Sequence, residues 1–344
     1  MSVQPLSERL RRLIDANGPI PVPVYMAEAN AHYYATRDPL GLAGDFTTAP
    51  EISQMFGELV GLWLADLWQR SGAGPAAYVE LGPGRGTLAA DALRAMRGAG
   101  LMPDVHFVET SPVLRDAQRQ RHPDAQWHDS LATLPTGTPL LVVANEFFDA
   151  LPIRQLVRTE AGWHERLVTV AEGGFAPMPG PRVPAAALPA SAPPGTIVET
   201  SPASLAIARQ LAARLIAQGG AALIVDYGHT EPSAGETLQA VSAHAYADPW
   251  SEPGERDLTA HVDFAALAAS VEGLTVHGPV GQGEWLEAMG ISVRAEALAH
   301  AAPERATEID TARRRLTEPD QMGTLFKALA FTAPNWPLPA GFPS

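Results

Sequence analysis

Three alternating glycines form the part of the sequence best suited to bind a ligand through its backbone. Gly82, Gly84 and Gly86 follow the apolar run Tyr78–Leu81, and a helical pattern starts at Thr87. Glycine permits left-handed backbone angles and lets a ligand come close to the chain. The run is therefore typical of a nucleotide-binding turn between a strand and a helix, with an ordinary strand-to-helix turn as the alternative.

The spacing of these glycines distinguishes two cofactors. A dinucleotide turn reads G-x-G-x-x-G, and its third glycine and helix amides serve a pyrophosphate. Here the pattern is G-x-G-x-G, and Glu80 stands two residues before Gly82. S-adenosylmethionine has no pyrophosphate, and its cationic amino-acid part suits a nearby carboxylate. The motif therefore favours S-adenosylmethionine over NAD as the cofactor.

Two acids at the ends of later strand candidates could bind the remainder of that cofactor. The segment 104–110 reads as a buried strand ending at Glu109, about where a ribose-binding acid is expected after such a turn. One carboxylate can accept from both ribose hydroxyls. Asp129, in the shorter segment 125–130, could accept from the adenine amine. A solvated acid at a strand end, or a surface turn, is the alternative for each.

The richest set of polar side chains follows the strand candidate 139–145. Asn145 offers both a donor and an acceptor, Glu146 offers an anionic acceptor, and two phenylalanines after them could exclude water. Open α/β sheets bind ligands at the carboxyl ends of their strands, which predicts a functional role for these side chains. Asp226 ends the next strand candidate and brings another acid to the same edge. Helix capping is the alternative, above all for Asp149.

Composition limits the class of protein. The chain has 344 residues, 46% hydrophobic and 18% charged, which suffices for a full α/β core and a further lobe. A net charge of -14 without long basic runs argues against a nucleic-acid binder. The chain has no cysteine, which excludes thiolate chemistry and disulfides, and no metal site is predicted.

Targeting and membrane signals are not apparent in the sequence. No apolar run reaches the ~20 residues that span a bilayer, so no membrane insertion is expected. The stretch 6–16 is amphipathic, but Glu8 and Asp15 make it a poor match to acid-free mitochondrial leaders. We therefore expect a cytoplasmic protein.

The pattern of elements divides the chain into two predicted parts. Residues 1–72 read as an N-terminal helical lobe with a candidate lid loop, and residues 73–344 alternate strands and helices. Short alternating runs at about 153–200 predict an antiparallel β insertion. The predicted fold class is α/β, a doubly wound, Rossmann-like and mostly parallel sheet. Its strand candidates lie at 78–82, 104–110, 125–130, 139–145, 221–227 and 326–332.

Six motifs together resemble those of one enzyme family. They are GDFTTAPEISQMFGE (44–58), ELGPGRGTL (80–88), NEFFDALP (145–152), DYG (226–228), DLTAHVDF (257–264) and MGTLFKALA (322–330). In their order and through nearly the whole chain they resemble the MidA-like S-adenosylmethionine-dependent methyltransferases. The resemblance implies a class I methyltransferase fold with S-adenosylmethionine as the cofactor.

The same resemblance implies a substrate. Mitochondrial members of the family methylate an arginine of a core subunit during complex I assembly, which implies a protein arginine methyltransferase with a protein substrate. Bacterial members need not share that substrate, and the missing presequence fits a bacterial cytoplasmic relative. The sequence leaves open whether the protein forms a homodimer.

Candidate catalytic roles follow from the chemistry of a guanidinium. Its delocalised charge makes it a poor nucleophile, and a carboxylate facing it could localise that charge and orient one nitrogen. Glu146 is the candidate for this role, with Asn145 as a hydrogen-bonding orienter. Tyr34 and Asp45 from the N-terminal loop could close the site, and Asp226 is the remaining candidate acid.

Other classes of function remain open on the sequence. A small-molecule O- or N-methyltransferase would use the same cofactor site and a closed pocket near Phe147 and Phe148. A non-catalytic assembly factor would bind S-adenosylmethionine only as a structural ligand. An NAD-linked oxidoreductase is disfavoured by the glycine spacing.

Overall fold

A computed structural model of the chain describes residues 5–36, 47–185, 188–189, 191–242 and 245–343. The helices are α1 Leu6–Asn17, α2 Val22–Thr36, α3 Ala49–Ile52, α4 Gln54–Arg70, α5 Thr87–Gly98, α6 Pro112–Arg121, α7 Pro202–Gln218, α8 Phe264–Ser270, α9 Gln282–Ala288, α10 Ile291–Ala301, α11 Ala306–Thr317 and α12 Met322–Leu325. The strands are β1 Ile20–Pro21, β2 Ala77–Leu81, β3 Asp104–Val108, β4 Gln126–His128, β5 Leu140–Asn145, β6 Arg154–Thr159, β7 Gly162–Ala171, β8 Gly174–Arg182, β9 Ile197–Thr200, β10 Gly220–His229, β11 Gln239–Ser242, β12 Ala245–Ala247, β13 Asp257–Thr259, β14 Val262–Asp263, β15 Thr275–Gly281 and β16 Phe326–Thr332.

The central sheet has the strand order β15-β16-β10-β5-β2-β3-β4, with the short β14 paired to β10. Strand β16 runs antiparallel to both of its neighbours, whereas β10, β5, β2, β3 and β4 pair in parallel. The order reverses between β2 and β5, and such a switch point opens a crevice for ligands in α/β sheets. The predicted doubly wound α/β fold is confirmed.

Residue types explain which strands the sequence pattern located. The strand β2 is buried along its whole length, and so is β5, as continuous apolar runs in a parallel sheet should be. The pattern did not predict β15, since Gly278 and Pro279 interrupt it and both residue types are depleted in strands. Its place at the edge of the sheet tolerates them.

Helices cover both faces of the central sheet. Tyr78 and Leu141 belong to a core that includes Trp63 of α4, whereas Val79 and Val142 belong to the core on the opposite face. Helix α4 therefore packs within the layer that covers the sheet. The boundary at residue 72 between a lobe and a methyltransferase domain stays a prediction.

The predicted antiparallel insertion forms a sheet of its own. Strands β6, β7 and β9 pair antiparallel, β8 pairs with β7, and β1 joins β7 from the N-terminal part of the chain. Helices α1 and α2 pack on this sheet in a third core that includes Leu10, Tyr25 and Val168. Helix α2 thereby links the insertion to the edge of the central sheet. No helix in the described ranges combines the length and the apolar character needed to cross a membrane.

Candidate active site

A cavity of about 560 Å³ opens at the carboxyl ends of β2, β3 and β5. Small-molecule sites span about 300 to 1,000 Å³, so its size suits a nucleoside-sized ligand. Glu80, Glu109 and Asn145 line the cavity from the sheet. Tyr34 of α2 and Thr48, just before α3, line it from the N-terminal part of the chain.

The glycine turn after β2 takes the backbone shape that its sequence predicts. Gly82, Gly84 and Gly86 have φ of 61°, 54° and 74°, in the left-handed region. A Cβ at Gly82 would lie 2.9 Å from Cδ2 of Phe147, and one at Gly86 would lie 2.8 Å from Cδ2 of His122. Side chains are therefore excluded here by backbone strain and by space, and the turn presents bare backbone to the cavity.

The acid before this turn is buried inside the sheet. Glu80 is 3% exposed and accepts a 2.6 Å hydrogen bond from the hydroxyl of Tyr78. Burial raises the pKa of Glu80 to about 8, against a lowering by that hydrogen bond. A cationic group of a ligand at the turn would favour the ionised form.

Glu109 is held as an acceptor at the end of β3. Its Oε1 accepts from the backbone amides of Thr110 and Ser111, at 2.8 and 2.7 Å. Gln118 of α6 donates from one amide nitrogen to Oε2 of Glu109 at 3.3 Å and to the carbonyl of Gly84 at 2.6 Å. Gln118 thus ties the glycine turn to the candidate ribose acid.

The structure does not bring Asp129 to the cavity. Its side chain is 82% exposed and pairs with Arg115 at 2.6 Å. Arg115 also donates to the backbone carbonyls of Glu109 and His128, which draws the Asp129 carboxylate to the outer surface. The predicted contact with an adenine amine therefore has no geometric support here.

Glu146 stands at the cavity in a strained backbone conformation. Its φ of 49° is left-handed, which costs energy in a residue other than glycine and is typical of functional sites. Its Oε1 accepts from the backbone amide of Ala49 at 2.9 Å and from the side-chain amide of Asn145 at 3.3 Å. Burial raises the pKa of Glu146 to about 7; the Ala49 bond opposes this and nearby Asp149 adds to it. The side-chain oxygen of Asn145 is buried without a donor among the described residues.

Asp226 lies behind the loop that carries Glu146. One oxygen of this fully buried carboxyl accepts from the amides of Phe147, Phe148 and Asp149 at 3.2, 2.9 and 3.2 Å. The other accepts from the amide of Tyr227 at 2.9 Å. Burial, then the Asp149 and Glu146 carboxyls, raise the pKa of Asp226 well above its ordinary value. Asp226 does not line the cavity, so the structure corrects its predicted direct role to one of positioning the loop.

Helix α2 brings Tyr34 to the cavity. The hydroxyl of Tyr34 donates to Asp257 at 2.7 Å, and Ser111 donates to its carbonyl at 2.5 Å. Asn30, one turn earlier, donates to the carbonyls of Ala150 and Leu258 at 3.0 and 2.7 Å. These contacts dock the helix against the sheet edge. Asp45, the other predicted lid residue, lies outside the described residues.

Two further residues at the site escaped the sequence reasoning. Glu51 lines the cavity and accepts a 2.6 Å hydrogen bond from Thr87, although an acid just after a proline is typical of the first turn of a helix and does not by itself indicate a site. Gln118 is fully buried, and its position on a helix of mostly polar composition gave no signal. Both act through contacts between residues more than thirty positions apart in sequence.

The site fits S-adenosylmethionine on its own geometry. It combines bare glycine backbone, a buried acid before the turn, an acceptor at the end of β3, and an unsatisfied acceptor on Asn145. This arrangement on a parallel α/β sheet defines a class I methyltransferase.

Comparisons with known proteins agree with that class. Residues 59–280 match the family described as "Putative S-adenosyl-L-methionine-dependent methyltransferase". "Protein arginine methyltransferase NDUFAF7 homolog, mitochondrial" of Drosophila melanogaster is 41% identical over 94% of this chain and 84% of its own length. "Protein arginine methyltransferase NDUFAF7, mitochondrial" of Homo sapiens is 33% identical, covering 95% and 83%. The chain belongs to this family of S-adenosylmethionine-dependent methyltransferases.

A solved structure supports both the fold and the cofactor. It is a "likely methyl transferase" from Burkholderia thailandensis bound to S-adenosyl-homocysteine, 27% identical, with a TM-score of 0.85. The match covers 98% of this chain and 93% of that one. S-adenosylmethionine is accordingly the cofactor of this protein.

The expectation of a cytoplasmic protein is contradicted by the relatives, because those from Drosophila melanogaster and Homo sapiens are both named as mitochondrial. That expectation was based on the acids of the stretch 6–16, which are rare in mitochondrial leaders. The stretch forms α1, whose Leu6, Leu10 and Ile14 are buried in the fold. Its composition therefore reflects packing and carries no information on targeting.

Proposed function

We propose that the protein methylates the guanidinium of an arginine side chain in a protein substrate. The relatives named as protein arginine methyltransferases support the choice of acceptor. The family resemblance extends the proposal to a subunit of respiratory complex I as the substrate. The observation that carries it is that two carboxyls lining the cavity, Glu80 and Glu146, form no ion pair within the described ranges.

Two further acids, Asp149 and Asp226, are buried near Glu146 without lining the cavity. Glu80, Asp149 and Asp226 are each less than a tenth exposed, and Glu146 is half-buried. None of the four forms an ion pair within the described ranges, although the charge of Arg315 lowers the pKa of Glu146 slightly against the effect of burial. Burial raises the pKa of Asp149 to about 6, so all four carry a desolvation cost when ionised. Cationic ligands would relieve that cost. A guanidinium acceptor would add a second positive charge to that of the cofactor's sulfonium, whereas a neutral small-molecule acceptor would leave the sulfonium as the only one of the two.

The roles of the side chains follow from their positions. Bound S-adenosylmethionine supplies an activated methyl group, so the protein has mainly to position the acceptor and exclude water. Glu146 would hold one edge of the guanidinium, and the free oxygen of Asn145 would accept from the nitrogen that is methylated. That nitrogen gains the methyl group and loses one proton. A carboxyl with a pKa of about 7 is suited to take it near neutral pH.

The other predicted residues take supporting roles in this proposal. Glu80 and the glycine turn Gly82 to Gly86 would hold the amino-acid end of the cofactor, and Glu109 would hold its ribose. Tyr34 would close the acceptor side together with α2. Their contacts at the cavity support these assignments.

The test is transfer of labelled methyl groups into the proteins of a cell extract, followed by acid hydrolysis and analysis for methylated arginine. We expect label in methylarginine. Solution scattering of the purified protein decides between a monomer and a homodimer. Label in the dialysable fraction alone would favour a small-molecule methyltransferase. Binding of S-adenosylmethionine without any transfer would favour the assembly factor.

Substitution of the candidate residue sharpens this test. Glu146→Gln keeps the shape of the side chain and removes its charge, so we expect transfer to fall by about 100-fold or more. The affinity for S-adenosylmethionine, measured by calorimetry at about pH 7, should stay within about threefold, because Glu146 would face the acceptor and is only about half ionised at that pH. Glu160→Gln, at an exposed hairpin turn, is the matched control and should leave both unchanged. Full activity in Glu146→Gln would overturn the assigned role.

A further inference from the structure

A second cavity, of about 380 Å³, lies in the antiparallel insertion. Arg158 from the end of β6, Gly162 and Trp163 from the start of β7, and Arg182 from the end of β8 line it, together with residues 183–185. The arginines come from two strands that each flank β7 in the sheet. The fold thus brings three hydrogen-bonding side chains to one place.

All three of these side chains are donors without acceptors. Trp163 is 1% exposed, and its indole N–H has no acceptor in the part of the chain that the structure describes. A buried N–H without a partner costs about 1 to 3 kcal/mol, so such a group calls for an explanation. The guanidiniums of Arg158, which is half-buried, and Arg182, which is exposed to solvent, have no ion pair or side-chain hydrogen bond among the described residues and remain available to a ligand.

Neighbouring arginines of the same sheet show the contrast. Arg154 pairs with Glu165 at 2.8 Å, and Arg166 pairs with Glu236. Acids are plentiful in a chain of net charge -14, yet none of those that the structure describes lines the second cavity. A ligand with oxygen acceptors and negative charge would satisfy all three donors, because guanidiniums bind carboxylates and phosphates through paired N–H groups.

We propose that this cavity binds an acidic side chain, aspartate or glutamate, of the protein substrate, as a second recognition point apart from the acceptor arginine. The proposal rests on the proposed function only in taking the substrate to be a protein. The strongly negative net charge disfavours a nucleic-acid phosphate as the occupant.

The spacing of the two cavities limits where that acid lies in the substrate. Pro152 lines the first cavity and Arg158 the second, and six steps of chain separate them, most of them in β6. At about 3.3 Å per residue, the separation of these Cα atoms is at most about 20 Å. The acid of an extended substrate would therefore lie up to about six residues from the methylated arginine, and a spacing of about six residues is long enough to reach the second cavity.

Binding of designed peptides tests the proposal with the full-length protein. Fluorescein-labelled Gly-Ser peptides carry one central arginine and a Glu-Glu pair about three, about six or about nine residues away, with Gln-Gln peptides as controls. Fluorescence anisotropy in the presence of S-adenosylhomocysteine measures their affinities. We expect the Glu-Glu peptide of about six-residue spacing to bind about tenfold more tightly than its Gln-Gln control.

Variants assign that preference to the cavity. In the double variant Arg158→Gln/Arg182→Gln the preference for Glu-Glu should disappear, and Trp163→Phe should reduce it, because it removes the indole N–H together with part of the ring. Arg209→Gln, an exposed arginine of α7 without a partner among the described residues, is the matched control and should keep the preference. Equal binding of the Glu-Glu and Gln-Gln peptides, or a preference that survives the double variant, would overturn the proposal.

The outcome is separable from that of the proposed function. Replacing the central arginine by glutamine abolishes methyl transfer if arginine is the acceptor, but the Glu-Glu preference does not depend on it. Loss of the Glu-Glu preference in millimolar inorganic phosphate, with binding of the Gln-Gln peptides unchanged, would show a general anion site and would contradict a site built for a substrate carboxylate.

Discussion

Two loops meet at the cavity, and they are held in opposite ways. The glycine turn 82–86 after β2 owes its shape to residue types that permit left-handed backbone and leave no room for side chains. The loop 145–149 after β5 reaches the same left-handed region at Glu146 without a glycine. Asp226, some eighty residues on, and Ala49, almost a hundred residues before, hold it there.

The two loops show two ways in which a sequence determines the conformation of a loop. A turn shaped by its own residues is readable from a short stretch of sequence, because the constraint is local. A loop shaped by distant donors and acceptors is readable only in the folded chain. The first presents backbone to the cavity, where we propose that it holds the cofactor, and the second presents a carboxyl that we propose acts on the acceptor.

The largest expected effect comes from filling the locally specified turn. Gly82→Val combines left-handed strain of about 1 to 2 kcal/mol with a clash against the Phe147 ring, which a Cβ would approach to 2.9 Å. We expect binding of S-adenosylmethionine, measured by calorimetry, to weaken by more than about 100-fold. Gly100→Val has a similar φ of 85° and open space around it, so it should show the strain in thermal stability while binding normally. Equal binding in both variants would contradict a role for close backbone approach.

The next largest effect tests the loop held from a distance. Asp226→Asn keeps the size of the side chain but replaces an oxygen that accepts from backbone amides by an NH₂ group. We expect a loss of about 1 to 3 kcal/mol in the free energy of unfolding, measured by urea denaturation. Methyl transfer should fall by about tenfold or more, since Glu146 loses its fixed position. The affinity for S-adenosylmethionine should change less than in Gly82→Val. A fully active Asp226→Asn would show that the loop 145–149 keeps its conformation without the hydrogen bonds to Asp226.

The same distinction explains which features the sequence could predict. The fold followed from apolar runs such as β2 and β5 and from the glycine turn, all local patterns. The presence of Asn145, Glu146 and Glu109 at strand ends followed from the rule that parallel strands end at one edge. The position of Asp226 behind the loop could not be predicted in this way. The sequence pattern of β10 does not show whether a residue at the end of the strand faces the cavity or a neighbouring loop. The predicted contact of Asp129 with the adenine amine was wrong for a similar reason, because the pairing of Asp129 with Arg115 is a tertiary contact.

A smaller effect is expected where the two kinds of constraint meet. Gln118 of α6 joins the Gly84 carbonyl to Glu109 and accepts from the indole of Trp127 at 2.8 Å. Gln118→Met has similar length and removes these hydrogen bonds. We expect S-adenosylmethionine to bind about tenfold more weakly, measured by calorimetry, because Glu109 and the turn lose their common support. Unchanged affinity would show that the glycine turn needs no help from α6.

The smallest effect concerns the charge that the second loop presents. Burial raises the pKa of Glu146 from an ordinary 4.5 to about 7, so the folded protein without ligand retains a proton that the unfolded chain releases. The native state binds more protons over this window, and the contribution of Glu146 to stability therefore falls as the pH rises from about 4.5 to about 7. A fixed positive charge nearby acts against burial, because it favours the ionised carboxylate and so lowers the pKa of Glu146.

The sulfonium of S-adenosylmethionine is such a charge, and S-adenosylhomocysteine lacks it while sharing the remaining groups. The ratio of their dissociation constants therefore isolates the sulfonium. We expect S-adenosylmethionine to gain about fivefold over S-adenosylhomocysteine between about pH 6 and about pH 8, as Glu146 passes from mostly protonated to mostly ionised. In Glu146→Gln most of this gain in relative affinity should disappear. The part that remains is due to Glu80, because burial raises the pKa of Glu80 to about 8. A ratio independent of pH in the unsubstituted protein would place the sulfonium away from both carboxyls, and the charge on the distantly held loop would then serve the acceptor alone.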